Sequence, residues 1–217
     1  PIIIYQMGKV GSSSIKNSLK SHGIDSVFHA HRINPDNIKA VQKDNLEHGL
    51  KLMLNSIMYD IVGNRIYFKI VERNKKSKFI TLTREPISRN ISAFFQNFLR
   101  FTDKRYTDSD FTINELINLF LKEYNHNVPL TWFDVEIKET LGIDVYQHPF
   151  PKEKGYLKIK KNNFDLLIIK CELDDKIKNN VLSSFLNLKN LKLTRSNVSL
   201  KKEYSATYLQ LSSLKLT

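Results

Sequence analysis

One cysteine in 217 residues leaves nothing for an internal disulfide and nothing for a thiolate zinc cluster, a usage that fits a reducing compartment. That residue, Cys171, follows the apolar run Asp165–Lys170 and reads as a buried core thiol. Long hydrophobic stretches are missing as well. Ile2–Tyr5 and Leu166–Ile169 are the longest, far short of the ~20 residues that cross a bilayer, so the chain reads as soluble and cytoplasmic, with peripheral membrane association left open. It opens on Pro1-Ile2-Ile3-Ile4, inside an apolar run and without an initiator Met, so a natural start upstream is expected, with any targeting segment ahead of it. No Gly/Ser linker, internal repeat or low-complexity tract divides the sequence, and residues 1–217 are read as a single domain.

Negative charge is scarce. Thirty-four Lys and Arg face 22 Asp and Glu, a formal net charge of +12 that implies an anionic partner. Residues 151–217 alone carry 14 basic against 6 acidic side chains, so most of the surplus sits in the last third. The basic runs lack the aromatic interleaving of RNA-recognition motifs and the spacing of zinc fingers, so nucleic acid is not the expected partner. A nucleotide or a polyanionic sugar suits them as well, and part of the excess reads as ordinary solvated lysine.

The pattern that is present alternates strands and helices. Ile2–Gln6 reads as a strand, Ser12–Ser21 as a helix, Asp25–Ala30 as a second strand, and Asn34-Pro35-Asp36 as the turn opening a long helix to about Ile61. Phe79–Thr83 is a third strand. Behind Pro86, the residues Ile87, Ile91, Phe94 and Phe98 make a core-facing helical stripe. Thr112–Tyr124, Leu130–Leu141 (closed by Gly142), a segment from Asp174 and one from about Glu203 read as helices, and Asp165–Lys170 as a strand. The fold class is α/β, a central mostly parallel sheet flanked by helices.

Two segments carry chemistry. Between the first strand and helix stand Gly8, Lys9, Val10, Gly11, Ser12, Ser13 and Ser14: glycines for a tight turn, a helix start with unpaired N–H groups, hydroxyl donors and a lysine charge, together an anion cradle. No Gly-Lys-Ser/Thr triplet is present, so the Walker pattern of kinases and GTPases is not met. Read without a ligand, the stretch is a serine-capped helix after a turn. The second segment runs from Phe79 to Phe95. Arg84 ends a strand, where ligands of open α/β sheets gather, and Ser92 follows two turns into the next helix.

Arg84, Pro86, Arg89 and Ser92 resemble the 3′-phosphate motif of sulfotransferases that use 3′-phosphoadenosine-5′-phosphosulfate (PAPS), and Lys9–Ser14 resembles their 5′-phosphosulfate loop. Trp132–Ile137, Gly142–Tyr146 and Asn197–Ser205 make the resemblance closest to the sulfotransferase-like capsular polysaccharide synthesis group. It departs at Glu203, where an aromatic residue is expected. The resemblance implies a P-loop-like sulfotransferase architecture, PAPS as co-substrate with adenosine 3′,5′-bisphosphate as product, and a carbohydrate hydroxyl as acceptor. It also implies PAPS contacts from Gly8–Ser14, Arg84, Ser92, Asn197 and Lys202, with Lys9 stabilising charge on the bridging oxygen.

Such a transfer needs a base. His29 and His31 fall on one face of the second strand, at a place that resembles the base position of some polysaccharide sulfotransferases. His31, nearer the strand end, is the preferred base, with His29 positioning it or binding substrate. Arg32, Trp132, Glu136 and Tyr204 are candidate substrate contacts, with plain packing an equal reading for Trp132. No metal is expected, since two histidines without cysteines or matching carboxylates leave a zinc site incomplete. A non-catalytic nucleotide- or polyanion-binding module and a P-loop kinase remain the alternatives.

Overall fold

The computed structural model describes residues 1–47, 54–102, 104–194 and 204–213. Five strands form one sheet in the order β2-β1-β3-β5-β4: β1 Ile2–Tyr5, β2 Val27–Ala30, β3 Ser77–Thr83, β4 Tyr156–Lys161 and β5 Phe164–Lys170. β2, β1, β3 and β5 run parallel, and β4 returns antiparallel on β5. Buried on both faces, β1 and β5 are near-continuous aliphatic runs. Ile3, Ile4, Phe79, Ile80 and Leu166–Ile169 are all buried at the centre of the main core.

From β1 the chain goes to β2 on one side, and β3 then pairs with β1 on the other. That reversal is a topological switch point, and it opens a crevice at the carboxyl ends of β1 and β3, where open α/β sheets take ligands. α1, Ser12–Ser21, leaves β1 there, and α4, Pro86–Gln96, leaves β3 there. Glu85 starts α4 by accepting from the Ile87 and Ser88 amides at 2.8 and 2.6 Å, with Pro86 in the first turn.

α2, Pro35–Glu47, and α3, Leu54–Ile66, occupy the stretch expected to be one helix to Ile61. The two pack on each other, and Gln42 donates to Asp60 across them at 3.1 Å, a contact that a single rod does not allow. α3 runs on into a π-wound turn, Tyr67–Val71. Gly63 lets α3 lie hard against the chain after β2, since a Cβ there would stand 2.1 Å from the Arg32 carbonyl oxygen.

α5, Phe98–Thr102, and α6, Ile113–Glu123, follow, α6 opened by a Thr112/Glu115 capping box. α7, Val128–Trp132, a π-wound stretch Phe133–Lys138 and α8, Glu139–Leu141, form one continuous rod that stops at Gly142. α9, Asp175–Leu186, packs its buried residues Val181, Leu182, Phe185 and Leu186 on the main core. α10, Ser205–Ser213, joins α4, α5 and α6 in a second, aromatic cluster that holds Phe94, Phe95, Phe98, Phe120, Tyr124, Tyr204 and Tyr208. Full burial of one such ring contributes about 1.5–3 kcal/mol.

Two expectations need correction. Ile87 does not belong to the buried stripe; it is 47% exposed, and the buried part of α4 begins two residues later, at Arg89. Cys171 is only part-buried and lies just past β5, where its amide donates to the Thr83 carbonyl at 2.7 Å. β4, Tyr156–Lys161, is a strand not identified from the sequence.

Candidate functional site

β1 ends at Tyr5, and Gln6 carries the ladder one step further, its amide donating to the Ala30 carbonyl at 3.2 Å. The chain then turns through Gly8–Gly11. Lys9 holds a left-handed φ of 69°, uncommon for a lysine, and Gly11, the N-cap of α1, holds 84°. A Cβ on Gly11 would lie 3.3 Å from Cys171 Sγ, so the thiol sits beneath the turn. No side chain caps α1 at Gly11. The first turn of this ten-residue helix therefore leaves the Ser12 and Ser13 amides without a capping side chain and keeps the positive dipole end that suits an anion, while the Ser14 amide donates to the Gly11 carbonyl at 3.4 Å.

Two arginines brace the turn from the far side. Arg84 donates to the Lys9 carbonyl at 3.0 Å, and Arg89 donates to the Gly8 carbonyl at 3.2 Å. In trans peptides the N–H points opposite to the C=O, so the Lys9 and Val10 amides are directed away from the arginines. Val10 itself is fully buried and anchors the turn, so only its backbone is available to a ligand. The loop and the Arg84 segment thus touch.

Ser92 is fully enclosed, and its hydroxyl has no hydrogen-bond partner among the described residues. Of the late segment, Asn197 and Lys202 lie outside the described residues. Tyr204 is buried and stacked on Phe95, ring centroids 4.8 Å apart, a core position and not an open sugar contact.

The two histidines stand together, rings 5.0 Å apart, and Tyr59 of α3 packs on both at 4.8 and 5.9 Å. The β1–β2 register pairs Ile4 with His29 and Tyr5 with Ala30, which puts Gln6 beside His31. His31 Nδ1 lies 3.0 Å from the Gln6 carbonyl oxygen. A carbonyl only accepts, so in the Nδ1–H tautomer this bond leaves Nε2 with the basic lone pair; the Gln6 side-chain amide nitrogen, 3.1 Å from the same Nδ1, suits the other tautomer. The His31 ring also borders the turn, its Cε1 4.0 Å from the position of a Gly8 Cβ.

His29 Nε2 is 3.0 Å from Ser12 Oγ, which also accepts from the Gln6 side-chain amide at 2.8 Å. That spacing would suit a nucleophile and its base, but His29 Nδ1 has no partner among the described residues to orient it, and burial, with His31 and Lys16 beside it, pushes His29 down to about 3. His31 is lowered too, chiefly by burial, while the Gln6 carbonyl works the other way.

Both histidines therefore stay neutral at neutral pH, and folding depends on it. Their folded pKa values lie below the ordinary 6.5, so the unfolded chain binds more protons and stability is lost as pH falls from 6.5 toward the folded values. Each contributes a slope of up to ~1.4 kcal/mol per pH unit. Urea melts between pH 7 and 4 should show this decline, and His29→Gln should flatten it.

The remaining candidates have internal tasks. Arg32 is paired to Asp60 at 2.7 Å and also donates to Ser56 at 3.2 Å, which ties the end of β2 to α3. Trp132 is 6% exposed, packs edge-on to Tyr5 and donates its indole N–H to the His31 carbonyl at 3.1 Å. Glu136 is fully buried and accepts from the Ile33 and Asn34 amides at 2.8 and 3.1 Å, from the Tyr5 hydroxyl and from Asn37. Neither is an open substrate contact; the rod of α7 and α8 uses both to clamp the chain that carries His31. Burial pushes the Glu136 carboxyl up, against the donors that pull it down. Replacing it with Gln strands buried donors, and the expected cost of about 1–3 kcal/mol should appear as a lower urea midpoint.

Gln6, Tyr59 and Lys16 were not singled out in the sequence. Register alone could have found Gln6, the last residue of β1 before the glycine turn and the neighbour of His31.

The family model described as "putative capsular polysaccharide synthesis protein" matches residues 104–214, just over half of the chain. The chain belongs to that family. Comparison with curated proteins and with solved structures gives no match. The segment matched by the family supplies the braces of the candidate site: Tyr208 accepts from Arg84 at 2.8 Å, Tyr124 from Arg89 at 3.0 Å, and Trp132 and Glu136 hold the turn after His31. The glycine turn, both histidines and both arginines precede residue 104. No helix among the described residues is long and apolar enough to cross a membrane.

Proposed function

We propose that the chain is a sulfotransferase of capsular polysaccharide synthesis that moves a sulfuryl group from PAPS to a carbohydrate hydroxyl. The observation that carries this reading is the meeting of the two basic turns at the switch point, Arg84 on the Lys9 carbonyl at 3.0 Å, with a neutral histidine bordering the same loop. The open amides of α1, Lys9 and the hydroxyls of Ser13 and Ser14 suit the 5′ end of the donor, and Arg84 the 3′-phosphate.

In the transfer the acceptor oxygen forms a bond to sulfur, the bond from sulfur to the phosphate oxygen breaks, and its electron pair leaves with adenosine 3′,5′-bisphosphate. His31 Nε2 takes the acceptor proton. Lys9 offsets the charge growing on the leaving oxygen. Lys9, Arg84, Arg89 and Lys16 give this corner a positive field, whereas Glu85 is committed to the cap of α4.

Thermal stabilisation decides between donors. Adenosine 3′,5′-bisphosphate at 100 times its Kd should add about 2.7 kcal/mol of stability, and ATP with magnesium much less. The reverse order would replace a sulfotransferase with a kinase. Transfer of label from PAPS to a capsular glycan panel is the direct assay, and tight binding without any transfer would leave only a binding module.

A further inference from the structure

β2 is one of the two edge strands of the sheet, and a cavity of about 380 Å³ opens along it between α1 and α3. Lys16, Lys20, Phe28, His29, Met58 and Tyr59 line it, and no acidic side chain among the described residues does. Lys16 and Lys20 stand four residues apart on one face of α1, so both ammonium groups can reach a single anion. Neither has an ion-pair partner among the described residues. Opposite them α3 presents the Tyr59 ring and Met58, which is 58% exposed.

His29 forms the inner wall, and its far edge is bonded to Ser12 in the first turn of α1. The groove is therefore one side chain away from the anion turn. Apolar surface with a few convergent charges is the make-up of a small-molecule site.

We infer that this groove is the acceptor subsite and that it selects an acidic saccharide, with a sugar carboxylate against Lys16 and Lys20, the ring on Tyr59 and Met58, and the reacting hydroxyl toward the histidine pair. The inference rests on the sulfotransferase reading for the reacting hydroxyl; the selection of a carboxylate rests on the groove alone. Two lysines without bidentate geometry favour a carboxylate as point charges, which makes the selection sensitive to salt.

The probes are a tetrasaccharide of alternating glucuronic acid and N-acetylglucosamine and its carboxyl-reduced counterpart, titrated calorimetrically into the full chain with adenosine 3′,5′-bisphosphate present. The acidic probe should bind roughly tenfold more tightly at low salt, as expected for two half-exposed charge contacts. Lys16→Gln/Lys20→Gln should abolish that preference without changing the melting temperature, and Lys20→Glu should turn it against the acidic probe. Equal binding of the two probes, no binding of either, or a preference that survives the double substitution would overturn the inference. If adenosine 3′,5′-bisphosphate fails to stabilise the chain while the lysine-dependent preference holds, the sulfotransferase reading falls and the acidic-saccharide site stands. If the nucleotide stabilises and the preference is missing, only the subsite falls.

Discussion

Replacing His31 with alanine should lower kcat for sulfuryl transfer by about 10²–10⁴-fold, the range for loss of a positioned general base. Nucleotide binding should persist, because the ring touches the glycine turn from the acceptor side and makes no bond to its amides. Stabilisation by adenosine 3′,5′-bisphosphate is the control. The pH profile separates a base from a packing residue. His31 is lowered from its ordinary value mainly by burial, so the acid limb of kcat should lie below pH 6.5, with the rate rising as Nε2 loses its proton. That limb should vanish in His31→Ala. A residual rate that keeps the same limb would assign the proton to another group. His29→Ala should cost less, since its Nε2 is engaged with Ser12 and it is pushed down to about 3.

Much of this arrangement is legible in the sequence because local rules and the final packing agree. α1 occupies Ser12–Ser21, α6 begins at its capping box, and the strand ending at Arg84 delivers that arginine to the crevice. Parity along β2 is enough to bring His29 and His31 to one face. What cannot be read locally is how a side chain is used once helices pack. Helical spacing pairs Trp132 with Glu136 but does not say that Ile33, Asn34 and Tyr5 will arrive from 100 or more residues away to consume the carboxylate. β4 goes unread for a related reason: its exposed Lys158, Lys160 and Lys161 break up the apolar pattern, and on an edge strand exposed lysines are the guard against further pairing.

Substituting Lys9 tests whether the turn is electrostatic machinery or only a backbone shape. Its left-handed φ of 69° is held by two arginine contacts to consecutive carbonyls, so side chain and backbone have separable roles. Asparagine tolerates this conformation better than most residues and carries no charge. Lys9→Asn should therefore fold with an unchanged melting temperature while turnover falls about 10²–10³-fold, the usual loss when one preorganised charge is removed from a transition state. Lys9→Gly relieves the φ entirely and should be equally inactive. Arg84→Ala should behave differently: it removes both the brace on the Lys9 carbonyl and a candidate 3′-phosphate contact, so nucleotide affinity should fall along with the rate. Full turnover in Lys9→Asn would mean that the turn needs only its shape, and that charge on the leaving oxygen is met by the α1 amides and the arginines behind them.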